Sequence, residues 1–148
     1  MAPLHRTGAL LGRAVVYRRD IRLGAVEDVL LDAVLGRLVG LEVRCGDGAD
    51  RFLPFPACEL AGDRLSVESA LVFLERELDF YRLGGRLLSA LRGEPVTRRG
   101  VHVGELEDVL VSADGEVRGF LVRTGEGLRE LEPAEDLDVG NHGLRRAV

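Results

Sequence analysis

Two short phrases set paired acids inside apolar runs: residues 24–32 read GAVEDVLLD and residues 104–112 read GELEDVLVS. Adjacent carboxylates are the raw material of general acid–base couples and of hard-cation sites. The spacing argues against both uses. Neighbouring residues on a strand send their side chains to opposite faces, so Glu27 and Asp28, or Glu107 and Asp108, cannot converge on one proton or ion. The expected role of Asp28 and Asp108 is structural: each accepts hydrogen bonds from turn N–H groups and pins a hairpin. Gly24 and Gly104, which open the two phrases, are expected to turn the chain before each strand.

The remaining reactive side chains are scattered. Cys45 and Cys58 belong to no CxxC or Cys/His cluster, and His5, His102 and His142 lie far apart, so neither a zinc site nor another metal site is expected. No Gly-rich phosphate loop and no nucleophile elbow occurs. No catalytic residue and no cofactor is assigned, and the chain is not expected to be an enzyme. Arg18-Arg19 and Arg98-Arg99 are two basic spots, read as solvated loop charges or as contacts to phosphate or RNA.

Composition narrows the field further. The 148 residues are 46% hydrophobic and 30% charged, enough for a real core in one ordinary domain or two very small ones. Aromatics make up 5% and Trp is absent, so Leu and Val must fill that core. All 20 basic residues are Arg, yet the net charge is -5, which disfavours nucleic acid as a partner because counterion displacement needs a basic face. No apolar run approaches the roughly 20 residues of a membrane span. No signal peptide is evident at the N-terminus, and a cytoplasmic location is the expectation.

The elements that carry the two phrases repeat as well. Gly12, Val15, Arg18-Arg19, Gly24, residues 27–30, Gly36, Gly40 and Val43-Arg44 reappear as Gly93, Val96, Arg98-Arg99, Gly104, residues 107–110, Gly115, Gly119 and Val122-Arg123. Val39, Leu41 and Val43 alternate with Gly40, Glu42 and Arg44, the period of a half-buried strand. Asp114-Gly115 is a hairpin signal, and residues 32–36 form the longer turn of the first copy. Each copy therefore reads as a small antiparallel sheet. Between them, Leu71, Leu74, Leu78 and Tyr81 follow helical spacing. Ser69 can cap that helix and Gly84-Gly85 can end it, which predicts a linking helix over 69–83.

The order LLGRAVVYRRD, LGAVEDVLLDAVLGRLVGLEVR, FLPFPACEL resembles a PRC-barrel domain, and residues 91–137 resemble a second one. That family includes the cytoplasmic part of the photosynthetic reaction-centre H subunit and the C-terminal domain of the ribosome maturation factor RimM. The resemblance implies a mainly β protein of two small antiparallel β-barrels in tandem, joined by one α-helix. The expected units are 8–67 and 89–140, with the linking helix at 68–88 and a tail at 141–148. It attaches no catalytic residue. It implies a non-enzymatic protein-interaction or adaptor module that binds a protein partner or itself, possible homodimers included; the alternative is a RimM-like ribosome- or RNA-associated assembly factor. Phe52 and Phe55, which stand where the second copy carries charges, are either covered by the 69–83 helix or form an interface.

Overall fold

A computed structural model describes residues 3–18, 20–75 and 84–140. The chain forms β1 (His5–Arg6), a 3-10 turn (Thr7–Leu10), β2 (Ala14–Tyr17), β3 (Ile21–Asp32), β4 (Leu38–Cys45) and β5 (Asp50–Pro54). After a second 3-10 turn (Phe55–Ala57) come β6 (Cys58–Ala61), β7 (Arg64–Val67), a third 3-10 turn (Ala70–Val72) and β8 (Leu74–Glu75). Then follow β9 (Gly85–Leu87), α1 (Leu88–Leu91), β10 (Pro95–Arg98), β11 (Val101–Val111), β12 (Val117–Thr124), β13 (Gly127–Leu131) and β14 (Leu137–Val139). The first sheet has the order β6-β7-β2-β3-β4-β5-β8, with β9 also paired to β3. The second has the order β13-β12-β11-β10-β14, with β1 also paired to β11.

The repeated phrases occupy the long central strands, β3 and β11, at matching irregularities. The β3–β4 register slips between Val26 and Asp28, and the β11–β12 register slips between Leu106 and Asp108. Each slip is a bulge, which bends the strand and curls the sheet. Gly24 and Gly104 do not turn the chain, contrary to expectation: both lie inside these strands. A Cβ at Gly24 would run into the carbonyl oxygen of Arg44, and one at Gly104 into that of Arg123. Glycine is needed there for close approach of the neighbouring backbone.

The slots beside β2 and β10 are filled differently. β7 runs parallel to β2, whereas β14 runs antiparallel to β10. The β6–β7 hairpin is thus an addition of the first sheet.

The two sheets are joined by exchanged straps. Residues 5–10, which lead into the first sheet, cross to the second: His5 pairs with Val111 and Arg6 with Leu110. Residues 85–91, which lead into the second sheet, cross to the first: Gly85 pairs with Asp32, Arg86 with Leu31 and Leu87 with Leu30. The hairpin turns then bond reciprocally, Leu38 N–H to Gly115 O at 2.7 Å and Val117 N–H to Gly36 O at 3.0 Å. One buried cluster runs through both sheets, with Leu10, Leu35, Leu38, Leu88, Leu91 and Val117 among its members.

The linking helix over 69–83 is not what the described part of that segment forms. Ser69 does cap a start, its hydroxyl accepting from Leu71 N–H at 3.1 Å, but only a single 3-10 turn follows. Leu71 is 91% exposed, and Leu74–Glu75 is a strand on the edge of β5. The unpaired N–H and C=O row of β5 outcompetes local helical propensity there. Residues 76–83 lie outside the described residues. The α-helix that is present, α1, belongs to the second strap.

Candidate interaction surfaces and the paired carboxylates

The acids of each phrase separate, as strand geometry requires. The glutamates face out to arginines of the next strand: Glu27 to Arg44 at 3.4 Å and Glu107 to Arg123 at 2.7 Å. The aspartates face the straps. Asp108 is buried, and its Oδ1 accepts the Thr7 hydroxyl and Gly8 N–H, each at 2.9 Å. Its Oδ2 accepts Arg6 Nε at 3.2 Å and lies 3.7 Å from Arg92. Asp28, half-buried, accepts the N–H of Ser89 at 3.2 Å and also its hydroxyl. Both aspartates further accept the N–H of the next residue, Val29 or Val109, at 2.8 Å. The donors are therefore the bulged strand and the opposite strap, and not hairpin-turn N–H groups as the sequence suggested. No short run of residues could have shown this, because the strap donors lie 61 and 101 positions away.

The two aromatic candidates are not exposed. Phe52 is 2% and Phe55 5% accessible. Phe52 lies across Gly40, and its backbone pairs with Leu74 of β8. Phe55 lies against Gly115 of the other sheet, whose φ of +90° already favours glycine. Neither ring offers a surface to a partner, because the chain covers both itself. The sheet register sets the correspondence between the two copies. Phe52 pairs with Glu42, and the residue in that place on β13 is Glu130, which pairs with Leu121. Glu130 accordingly lies over Gly119 as Phe52 lies over Gly40.

The arginine pairs mark the tips of the β2–β3 and β10–β11 hairpins. Arg18 has φ +54° and its guanidinium stands 5.0 Å from the Tyr17 ring centroid; Arg19 lies outside the described residues. Arg99 has φ +51°, and both Arg98 and Arg99 lie near Asp136, at 3.9 and 3.1 Å. The acid offsets much of the charge a phosphate would need. Strands β3 and β11, 12 and 11 residues long, put the tips at the far ends from the junction, so Arg18 forms no common patch with Arg98 and Arg99.

Among the described residues, no three His, Cys, Asp or Glu side chains gather into a metal site, and no helix is long and apolar enough to cross a membrane. Cys45 and Cys58 are free thiols. Burial pushes the Cys58 thiol up to about 11, and its Sγ–H donates to the Phe55 carbonyl at 3.2 Å. A cleft of about 300 Å³ opens where the second strap crosses β3, floored by Leu30, Leu87 and Leu91 and edged by Arg86 and Glu94.

One feature went unsuspected in the sequence: the outer edge of β13. In the first sheet the corresponding strand, β5, is covered by β8. In the second, β13 ends the sheet, and no described strand pairs with its outer side. Five consecutive residues of β13 pair with β12 without a bulge, from Leu131 opposite Phe120 to Gly127 opposite Thr124. Leu131 is buried and anchors the strand, whereas Leu128, Arg129 and Glu130 are exposed. Edges left regular in this way are templates for a further strand.

Residues 6–70 match the family model of the PRC-barrel domain, and no curated protein matches the chain. Residues 6–70 are thus a PRC-barrel domain.

Proposed function

We propose that this PRC-barrel protein is a non-enzymatic interaction module that docks a protein partner, and that the docking element is the open edge of β13. The observation that carries the reading is the contrast between two equivalent edges. The chain covers β5 with its own β8 and leaves β13 open among the described residues. Strand addition to such an edge supplies affinity from main-chain hydrogen bonds and specificity from alternate side chains. We read residues 91–137 as a second PRC-type unit, on the shared bulges, the reciprocal turn bonds and the exchanged straps. The β10–β11 tip, with Arg98 and Arg99, would serve the competing reading of a ribosome- or RNA-associated factor; the proximity of Asp136 weakens it.

A photo-crosslinking residue at Leu128, compared with one at Val101 on the arginine tip, separates the two. Both positions are exposed, at 48% and 68%. In cells, position 128 is expected to form a discrete protein adduct. Adducts from position 101 to ribosomal components, with none from 128, would overturn the proposal.

A further inference from the structure

We infer that the edge of β13 takes an extended, antiparallel peptide segment in which a basic residue facing Glu130 is followed by an acidic residue facing Arg129, with apolar residues on either side. This rests on the docking reading above and names the chemistry of what docks.

The chain carries its own template for such an occupant. On the equivalent edge, β8 runs antiparallel to β5, with Leu74 opposite Phe52 and Glu75 opposite Arg51. In register, a leucine stands opposite the aromatic and a glutamate opposite the arginine, whose guanidinium is held by Asp47 at 2.9 and 3.0 Å. Arg129 occupies the place of Arg51, since both pair with the matching valines, Val122 and Val43. Glu130 occupies the place of Phe52, so the second edge exchanges an apolar requirement for a basic one. Neither Arg129 nor Glu130 has an ion-pair partner among the described residues. No proline interrupts residues 127–131, and Leu128 leaves apolar surface that a flanking aliphatic side chain would cover. Charges on an edge strand discourage indiscriminate pairing, and here they set which strand is admitted.

A second copy of the chain does not fit the same edge. Two identical antiparallel edges related by a twofold can only oppose residues whose numbers sum to an even value, because facing residues must share a sheet face. The registers that keep β13 paired set Arg129 on Arg129, Glu130 on Glu130, Glu126 on Glu130, or Glu130 on Glu132. Each brings like charges together, which is destabilising. The occupant is therefore a different segment.

Two capped hexapeptides test this on the full chain: Thr-Leu-Arg-Glu-Leu-Thr, which matches the inferred order, and Thr-Leu-Glu-Arg-Leu-Thr, which reverses it. Amide chemical shifts and hydrogen exchange of residues 127–131 report binding in a millimolar titration. The matched peptide is expected to bind at least about 5-fold more tightly, the sum of two cross-strand charge pairs. The exposed double variant R129E/E130R, with its melting temperature checked, is expected to invert the preference. Equal affinity for both peptides, or tighter binding of the reversed one to the natural chain, overturns the inference while leaving β13 a docking edge. Absence of any change at β13 with either peptide overturns both.

Discussion

The hydroxyl of Thr7 donates to Asp108 at 2.9 Å, joining residues 101 positions apart, and both side chains are essentially inaccessible. The corresponding bonds in the first sheet join Ser89 to Asp28. Each repeated aspartate thus holds the strap that leads into the other sheet. The two straps use different side chains, yet the backbone N–H of Gly8 and that of Ser89 play the same part.

Asp108→Ala is expected to destabilise more than Asp28→Ala. Removal of the buried carboxylate leaves the Thr7 hydroxyl and two N–H groups without an acceptor, for about 2–3 kcal/mol, whereas the more exposed donors around Asp28 can turn to water, for about 1 kcal/mol. Urea melts of the two variants measure the difference. Equal losses would mean that the straps do not carry the effect.

Thr7→Val keeps the shape and removes one donor. The loss should be felt first in β11, though Thr7 lies before the first sheet. Native-state hydrogen exchange should accelerate at residues 108–111 and stay unchanged at 28–31. Acceleration confined to the first sheet would contradict strap exchange.

Separated halves should not fold alone. A fragment of residues 1–62 lacks the 85–91 strap that covers β3, and a fragment of residues 86–148 lacks the 5–10 strap that covers β11. Each half, at about 60 residues, is also near the size at which burial barely supports a fold. Circular dichroism and sedimentation of each alone and of the mixture provide the check: two stable, non-associating monomers would be the contrary result.

Phe55→Ala should cost about 3–5 kcal/mol, the range for deleting a buried phenyl. Phe55→Glu should unfold the protein. Gly115→Ala should destabilise as well, since its new methyl meets the same ring at a positive φ. A Phe55→Glu chain that keeps its melting temperature would show that the ring is not needed in the junction.

A pH dependence follows from Cys58. Burial raises its folded pKa from 9.0 to about 11, so the neutral thiol is favoured in the folded state. That contribution is complete below pH 9 and is lost as pH rises toward 11. The melting temperature of the natural chain should therefore fall more steeply between pH 9 and 11 than that of Cys58→Ala, with parallel curves below pH 8.

Much of the local structure was legible in the residues. The repeat located β3, β4, β11 and β12, because period-two alternation and the Asp114-Gly115 turn are properties of a few neighbouring residues. The separation of the paired acids was legible for the same reason: a strand cannot aim two adjacent acids at one point. Over residues 69–75, the described part of the expected 69–83 helix, no α-helix forms, because a spacing of three and four says nothing about an unfilled sheet edge nearby.

What tertiary structure alone decided is which distant segments meet. Strap exchange, the covering of Phe55 by Gly115 and the contrast between β5 and β13 depend on pairings across tens of residues or more. Backbone hydrogen bonds are chemically alike at every position, so a chain does not announce in its side chains which edge will be left open. Only the capping of β5 by β8, without a described counterpart on the equivalent strand, picks out β13.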